Sequence, residues 1–208
     1  MPVVTYALIA LNVVVFLQEL SHGPRLDRFL MTWGLVPKRF TWTTVLTSMF
    51  LHGGWMHLIL NMLSLYIFGD NVEDRLGRAR YLVFYLLCGV AAAAGQTLSS
   101  PHSALPMVGA SGAIAGVCGA YLIFFPRSRV VTLVPVFIFI QVVEIPAVVF
   151  LLLWFGLQVL SGLATLGRGD GAGGVAFWAH VAGFVAGMVL GPVLRRRPTW
   201  EAEAAWPI

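Results

Sequence analysis

Six stretches of this 208-residue chain are apolar for about the length of a membrane-spanning helix, and none carries a charged residue near its middle. They run over about 3–20, 44–68, 80–99, 110–126, 147–166 and 174–194. A spanning helix needs about 20 mostly apolar residues to cross a hydrocarbon core of ~30 Å. The chain is 59% hydrophobic and 11% charged. A soluble domain is nearer half apolar and about a quarter charged. The expectation is an all-α, multi-pass integral membrane protein, with one domain over 1–208.

The pieces between the runs refine this. Residues 21–43 mix charge with Trp33, Phe40 and Trp42, a composition suited to the membrane interface. In residues 127–147 the apolar run Val130 to Val143 holds Pro135 and is about 14 residues long, more often interfacial or re-entrant than spanning. Six spans put both termini on the side of Arg75, Arg78, Arg80, Arg127, Arg129, Arg195, Arg196 and Arg197. The other side holds Arg25, Arg28, Lys38, Arg39 and Arg168, so the balance of cations places both termini in the cytoplasm. The net charge of +4 is thus a topology signal, and no nucleic-acid partner is expected. Cys88 and Cys118 lie inside apolar runs and suggest neither a disulfide nor a metal site. Residues 1–20 lack a basic leader and a convincing cleavage pattern, so they read as a first span. The tail after Arg195 reads as short and polar.

A polar side chain within lipid invites a functional explanation. Ser111 stands in PMVGASGAIAGVCGAY, residues 106–121, after a loop with Pro101 and Pro106. A helix starting at about Gly109 or Ala110 and reaching Phe125 is only ~24 Å long, short of the ~30 Å core. It therefore starts below the surface in a protein-lined cavity, with Ser111 in its first turn. Free N–H groups and the positive dipole end there favour a negative oxygen. A lone serine is more often explained by helix packing.

His180, in WAHVAGFVAGMVLG (178–191), is the one ionisable residue of the last run. Gly183, Gly187 and Gly191 share its stripe, and Gly112, Gly116 and Gly119 form another on the run of Ser111. Two such stripes let helices approach closely. The pattern is either a packing seam with one core histidine, or a device that brings His180 to Ser111 as base to nucleophile. His57 and Asn61, four apart, share a helix face. They are either polar glue between helices or donors for an oxyanion, together with the Ser111 N–H. His52, His57 and His180 come with no HExxH and no carboxylate partner, so no metal is expected. GRGD, residues 167–170, spells the GxGD of intramembrane aspartyl proteases, but no second intramembrane aspartate accompanies it, and it reads as a turn.

Together these residues resemble the rhomboid family of intramembrane serine proteases. GASGAIAG is similar to its GxSG motif through Gly109 and Ser111, and AHVAGFVAG to AHxxGxxxG through His180. HGGWMHLILNM is similar to HxxxxHxxxN through His52, His57 and Asn61, and VEDRLGRARY to ExRxG through Glu73, Arg75 and Gly77. The resemblance covers about Trp42 to Gly191. It implies a six-helix bundle with an interfacial first loop and an outward-opening, water-filled cavity. It also implies cleavage of transmembrane segments of other membrane proteins by a Ser111–His180 dyad without an acidic third member. Gly109, His57 and Asn61 would stabilise the oxyanion, and no cofactor is needed. The partners implied are single-pass or other transmembrane substrates and the lipid bilayer. A prokaryotic inner membrane is the expected location. Trp154 and Phe155 fall on the run that would form a lateral gate. The sequence departs from the family at Ala115, where an aromatic commonly stacks on the base, which implies a looser His180, and in lacking a clear Trp-Arg pair in the first loop. The competing class is a non-catalytic rhomboid-like protein that binds and escorts membrane proteins.

Overall fold

The computed structural model describes residues 1–136, 139–165 and 175–196. The GRGD turn, Arg168, Arg197, the start of the last run at 174 and the tail from 197 lie outside the described residues.

Helix α1 (Val3–Ser21) buries Thr5, Leu8, Asn12, Phe16 and Glu19, a stripe spaced by threes and fours. Val14 and Leu17 face outward. Polar groups inside and apolar ones outside reverse the pattern of a soluble helix and suit one surrounded by lipid. Helices α1, α5 (Arg78–Ser99), α7 (Ala147–Thr165) and α8 (Phe177–Leu194) are long and apolar enough to cross a membrane. Packed among them are α4 (Trp55–Leu76), which ends on a polar last turn with Glu73, Asp74 and Arg75, and the shorter α6 (Ser111–Phe124). The protein is a mostly helical, multi-pass integral membrane protein, with Leu65, Tyr81, Phe84, Tyr85 and Phe184 at the centre of its core.

One expected span is broken, and a hairpin is added to the mostly helical fold. The second apolar run does not make one helix over 44–68. A short α3 (Trp42–Thr47) is followed by a 3-10 turn, Ser48–Phe50, and then by extended chain before α4 begins at Trp55. Gly54 is the cause: its φ of +151° is open to glycine and rarely to other residues. The break is held by Glu19, whose buried carboxylate accepts the His52 N–H at 3.1 and 3.2 Å. Nor is the described fold purely helical. β1 (Arg129–Val136) pairs antiparallel with β2 (Phe139–Pro146), in register Val131 to Glu144. The interfacial run is rich in Val and Ile, which favour strands, and a proline at 135 would interrupt a helix. The segment 21–43 forms an α2 (Leu26–Trp33) and loops that continue into α3.

The Glu73 carboxylate caps the start of α1. It accepts Val4 N–H at 3.0 Å, Thr5 N–H at 2.8 Å and the Thr5 hydroxyl at 2.8 Å, and it is buried. Gly77, at φ +79°, turns the chain from α4 into α5. Arg196 N–H reaches the Arg75 carbonyl at 3.0 Å, so α8 ends at the corner where α1 begins. Removing the Glu73 carboxylate strands three donors at a buried helix start, where a negative group is favoured. Glu73→Ala is expected to cost about 2–4 kcal/mol, read as a lower unfolding temperature in detergent. An unchanged unfolding temperature would show that the cap contributes nothing.

Candidate functional site

Close approach of α6 and α8 builds the site. The two helices run parallel. A Cβ on Gly183 would collide with the Gly112 carbonyl, one on Gly187 with the Gly116 carbonyl, and one on Gly191 would lie 2.9 Å from Ala120 Cβ. On the side of α6 facing α5, a Cβ on Gly112 would lie 2.5 Å from Ala92, and one on Gly116 2.5 Å from Cys88. Both glycine stripes read in the sequence thus meet their partners as bare backbone. Cys88 and Cys118 are buried and free.

That register sets Ser111, first residue of α6, against His180, in the first turn of α8. Ser111 Oγ lies 2.8 Å from His180 Nε2. The other ring nitrogen, Nδ1, is 2.8 Å from Gln158 Oε1 on α7. An amide oxygen only accepts, so Nδ1 carries the proton and Nε2 presents its lone pair to the Ser111 hydroxyl. The Trp154 ring flanks the imidazole at 5.7 Å between centroids, tilted by 37°. Phe155 stacks on Phe184 at 4.6 Å. Ala115 is buried within the bundle, and His180 has a polar neighbour at each ring nitrogen.

The loop ahead of Ser111 is fixed from below. Leu35 and Met107 exchange N–H···O bonds at 3.0 and 2.8 Å, Lys38 N–H reaches Ser103 O at 3.1 Å, and Gly109 N–H reaches Ser48 O at 2.9 Å. The first loop thus holds the serine loop in place. Gly109 has φ +128°, and a Cβ there would lie 2.7 Å from His57 Nε2 and 3.5 Å from Ser111 Oγ. Both groups face the space above the Gly109 Cα. His57 Nδ1 accepts the Gly53 N–H at 3.3 Å, which leaves the proton on Nε2, a donor facing that space. Asn61, one turn further along α4, is buried, and its Nδ2 has no hydrogen-bond partner among the described residues. His52 packs edge-on to His57 at 5.2 Å. The sequence-predicted residues Ser111, His180, His57 and Gly109 therefore converge, with Asn61 one turn from His57. The ExRxG residues do not: they hold the opposite end, with Arg75 over the Phe125 ring at 5.0 Å.

Two polar residues escaped the sequence reading. Gln158 is the one amide in the run 147–166, and its place inside a span was the signal. Glu19 sits at the end of the first run, where nothing in the sequence links it to the chain near His52.

Lipid-length helices with polar interiors, and a serine hydroxyl bonded to a histidine at the head of a short helix, define a polytopic membrane protein with a serine–histidine pair among its helices. Residues 39–197 match the Rhomboid domain, and the chain belongs to the rhomboid family. It is 36% identical over 126 residues to "Rhomboid protease GluP" of Bacillus subtilis, covering 58% of this chain and 24% of that protein. It is 36% identical over 124 residues to "Putative rhomboid protease YdcA" of the same organism, covering 58% of this chain and 61% of that protein. It is 33% identical over 138 residues to "Rhomboid protein 1, mitochondrial" of Saccharomyces cerevisiae, covering 62% of this chain and 38% of that protein. The matches thus span between about a quarter and three fifths of the length of these relatives.

Proposed function

We propose that the protein is an intramembrane serine endopeptidase that cuts transmembrane segments of other membrane proteins. The observation that carries this reading is the 2.8 Å contact between Ser111 Oγ and the unprotonated Nε2 of His180. In the first step Ser111 Oγ attacks the scissile carbonyl carbon while its proton passes to His180 Nε2. The negative oxygen that forms is met by the Ser111 N–H at the head of α6, by His57 Nε2–H and by Asn61 Nδ2–H. The C–N bond then breaks, His180 protonates the leaving amine, and water cleaves the acyl-serine ester. Gly109 serves by lacking a side chain where that oxygen would sit.

The same reading makes the whole chain one rhomboid-type membrane domain of six spans, α1, α4, α5, α6, α7 and α8. Both termini then lie on the cytoplasmic side, where the arginine-rich end gathers. The cytoplasmic membrane of a prokaryote is the proposed location.

The test pairs a transmembrane reporter with a serine-reactive fluorophosphonate, on purified protein in detergent. Cleavage and labelling that both vanish in Ser111→Ala support the enzyme. A well-folded wild type that takes no label points instead to the binding and escort class. His57→Ala and Asn61→Ala are expected to lower kcat by about 10- to 1,000-fold each, because one oxyanion donor is lost while others remain. Wild-type kcat in both would remove these two residues from the scheme.

A further inference from the structure

We propose that Gln158 is a positioning residue for His180, so that the site works as a Ser111–His180–Gln158 chain in which a neutral amide stands where soluble triads carry a carboxylate. This rests on the proposed function above.

The geometry is specific. Gln158 Oε1 lies 2.8 Å from His180 Nδ1, and Ser111 Oγ lies 2.8 Å from Nε2, so one imidazole is held at both nitrogens. An imidazole with an unbonded Nδ1 can carry its proton on either nitrogen, and only the Nδ1–H form can accept from serine. The amide oxygen selects that form. When the imidazole takes the serine proton, Nδ1–H stays put and the same acceptor steadies the cation by its dipole.

The helix is built to deliver this group. Trp154, Gln158 and Gly162 are spaced by four and share one face of α7. Trp154 lies beside the imidazole, and Gly162 permits close approach: a Cβ there would lie 3.1 Å from the Trp178 ring. Trp178 is two residues ahead of His180 on α8. The contact at Gly162 therefore sets the height of Gln158 against the base, and Trp154 flanks the same imidazole from α7. An amide in a lipid-embedded helix is costly unless bonded, and His180 is the partner the fold provides.

The experiment compares Gln158→Met, a near-isostere without an acceptor, with Gln158→Glu, which keeps one, beside wild type and Ser111→Ala. In detergent, Gln158→Met is expected to lower kcat for a transmembrane reporter and the fluorophosphonate labelling rate by about 10- to 100-fold, with KM within about twofold. Gln158→Glu is expected to retain most of the labelling rate. In protein carrying nitrogen-15 histidine, the His180 resonances of wild type should report Nδ1–H, and those of Gln158→Met a mixture of tautomers. A Gln158→Met protein labelled at the wild-type rate with unchanged histidine resonances overturns the proposal, as does a Gln158→Glu protein as impaired as Gln158→Met. Failure of the function itself looks different. Wild type then takes no more label than Ser111→Ala, while the histidine resonances still report whether Gln158 sets the tautomer.

Discussion

Ser111→Ala and His180→Ala should each leave less than about one-thousandth of wild-type reporter cleavage. The first removes a single oxygen, from a residue that also heads α6. Its hydroxyl contributes one hydrogen bond to the fold, worth about 1 kcal/mol. The unfolding temperature should therefore stay close to wild type while activity disappears. In the proposed scheme His180→Ala removes the acceptor of the serine proton and the donor to the leaving amine together. It also strands the Gln158 amide among apolar neighbours, so a modest loss of stability is expected beside the loss of rate. The double variant should be no less active than either single one, since the two side chains act as a unit. Cleavage by Ser111→Ala at more than about a tenth of the wild-type rate would end the scheme, because no other side chain in this arrangement can form the acyl-enzyme.

The sequence made some of this legible and hid the rest for physical reasons. Ser111, His180, His57 and Asn61 stand out because lipid-length apolar runs make any strongly polar residue conspicuous. The spacing of His57 and Asn61 fixes a shared face without reference to any other helix. Glycine stripes on two runs announce two close-packing faces, although not the register in which Gly183 meets Gly112 and Gly187 meets Gly116. Gln158 is as conspicuous as those polar residues, the one amide in its run, but its partner His180 lies on another run and no motif pairs the two. The break at Gly53–Gly54 stayed hidden inside an apolar run, since averaged hydropathy does not register one residue's backbone conformation. Glu19 shows the same limit: its role is to hold that break from 33 residues away in the chain. The hairpin was read only as a run too short to span. Among the described residues four helices meet the length and apolarity needed, while α6 is shorter and α4 ends on a charged turn.

Gly187→Val, away from the chemistry, should cost about 3 kcal/mol and abolish labelling of Ser111. The cause is backbone, not side-chain, contact. A Cβ at Gly187 collides with the Gly116 carbonyl, and one at Gly183 with the Gly112 carbonyl. A flexible side chain could move aside, but a carbonyl in a helix moves only with its helix. To admit a methyl group, α6 and α8 must separate. The 2.8 Å contact from Ser111 to His180 spans that same seam, at its upper end. Activity should consequently fall further than stability at Gly183, one turn from His180. Gly183→Ala is expected to fold, to unfold at a lower temperature, and to label slowly. Gly156→Ala on α7 is the control, because a Cβ there meets nothing within 4 Å, and alanine is the better helix former by about 1 kcal/mol. If Gly187→Val unfolded and labelled like wild type, α6 and α8 could not be in backbone contact in the membrane protein. The serine–histidine geometry would then need another support. If Gly183→Ala lost labelling while Gly156→Ala kept it, the glycine seam would be what holds base and nucleophile in register.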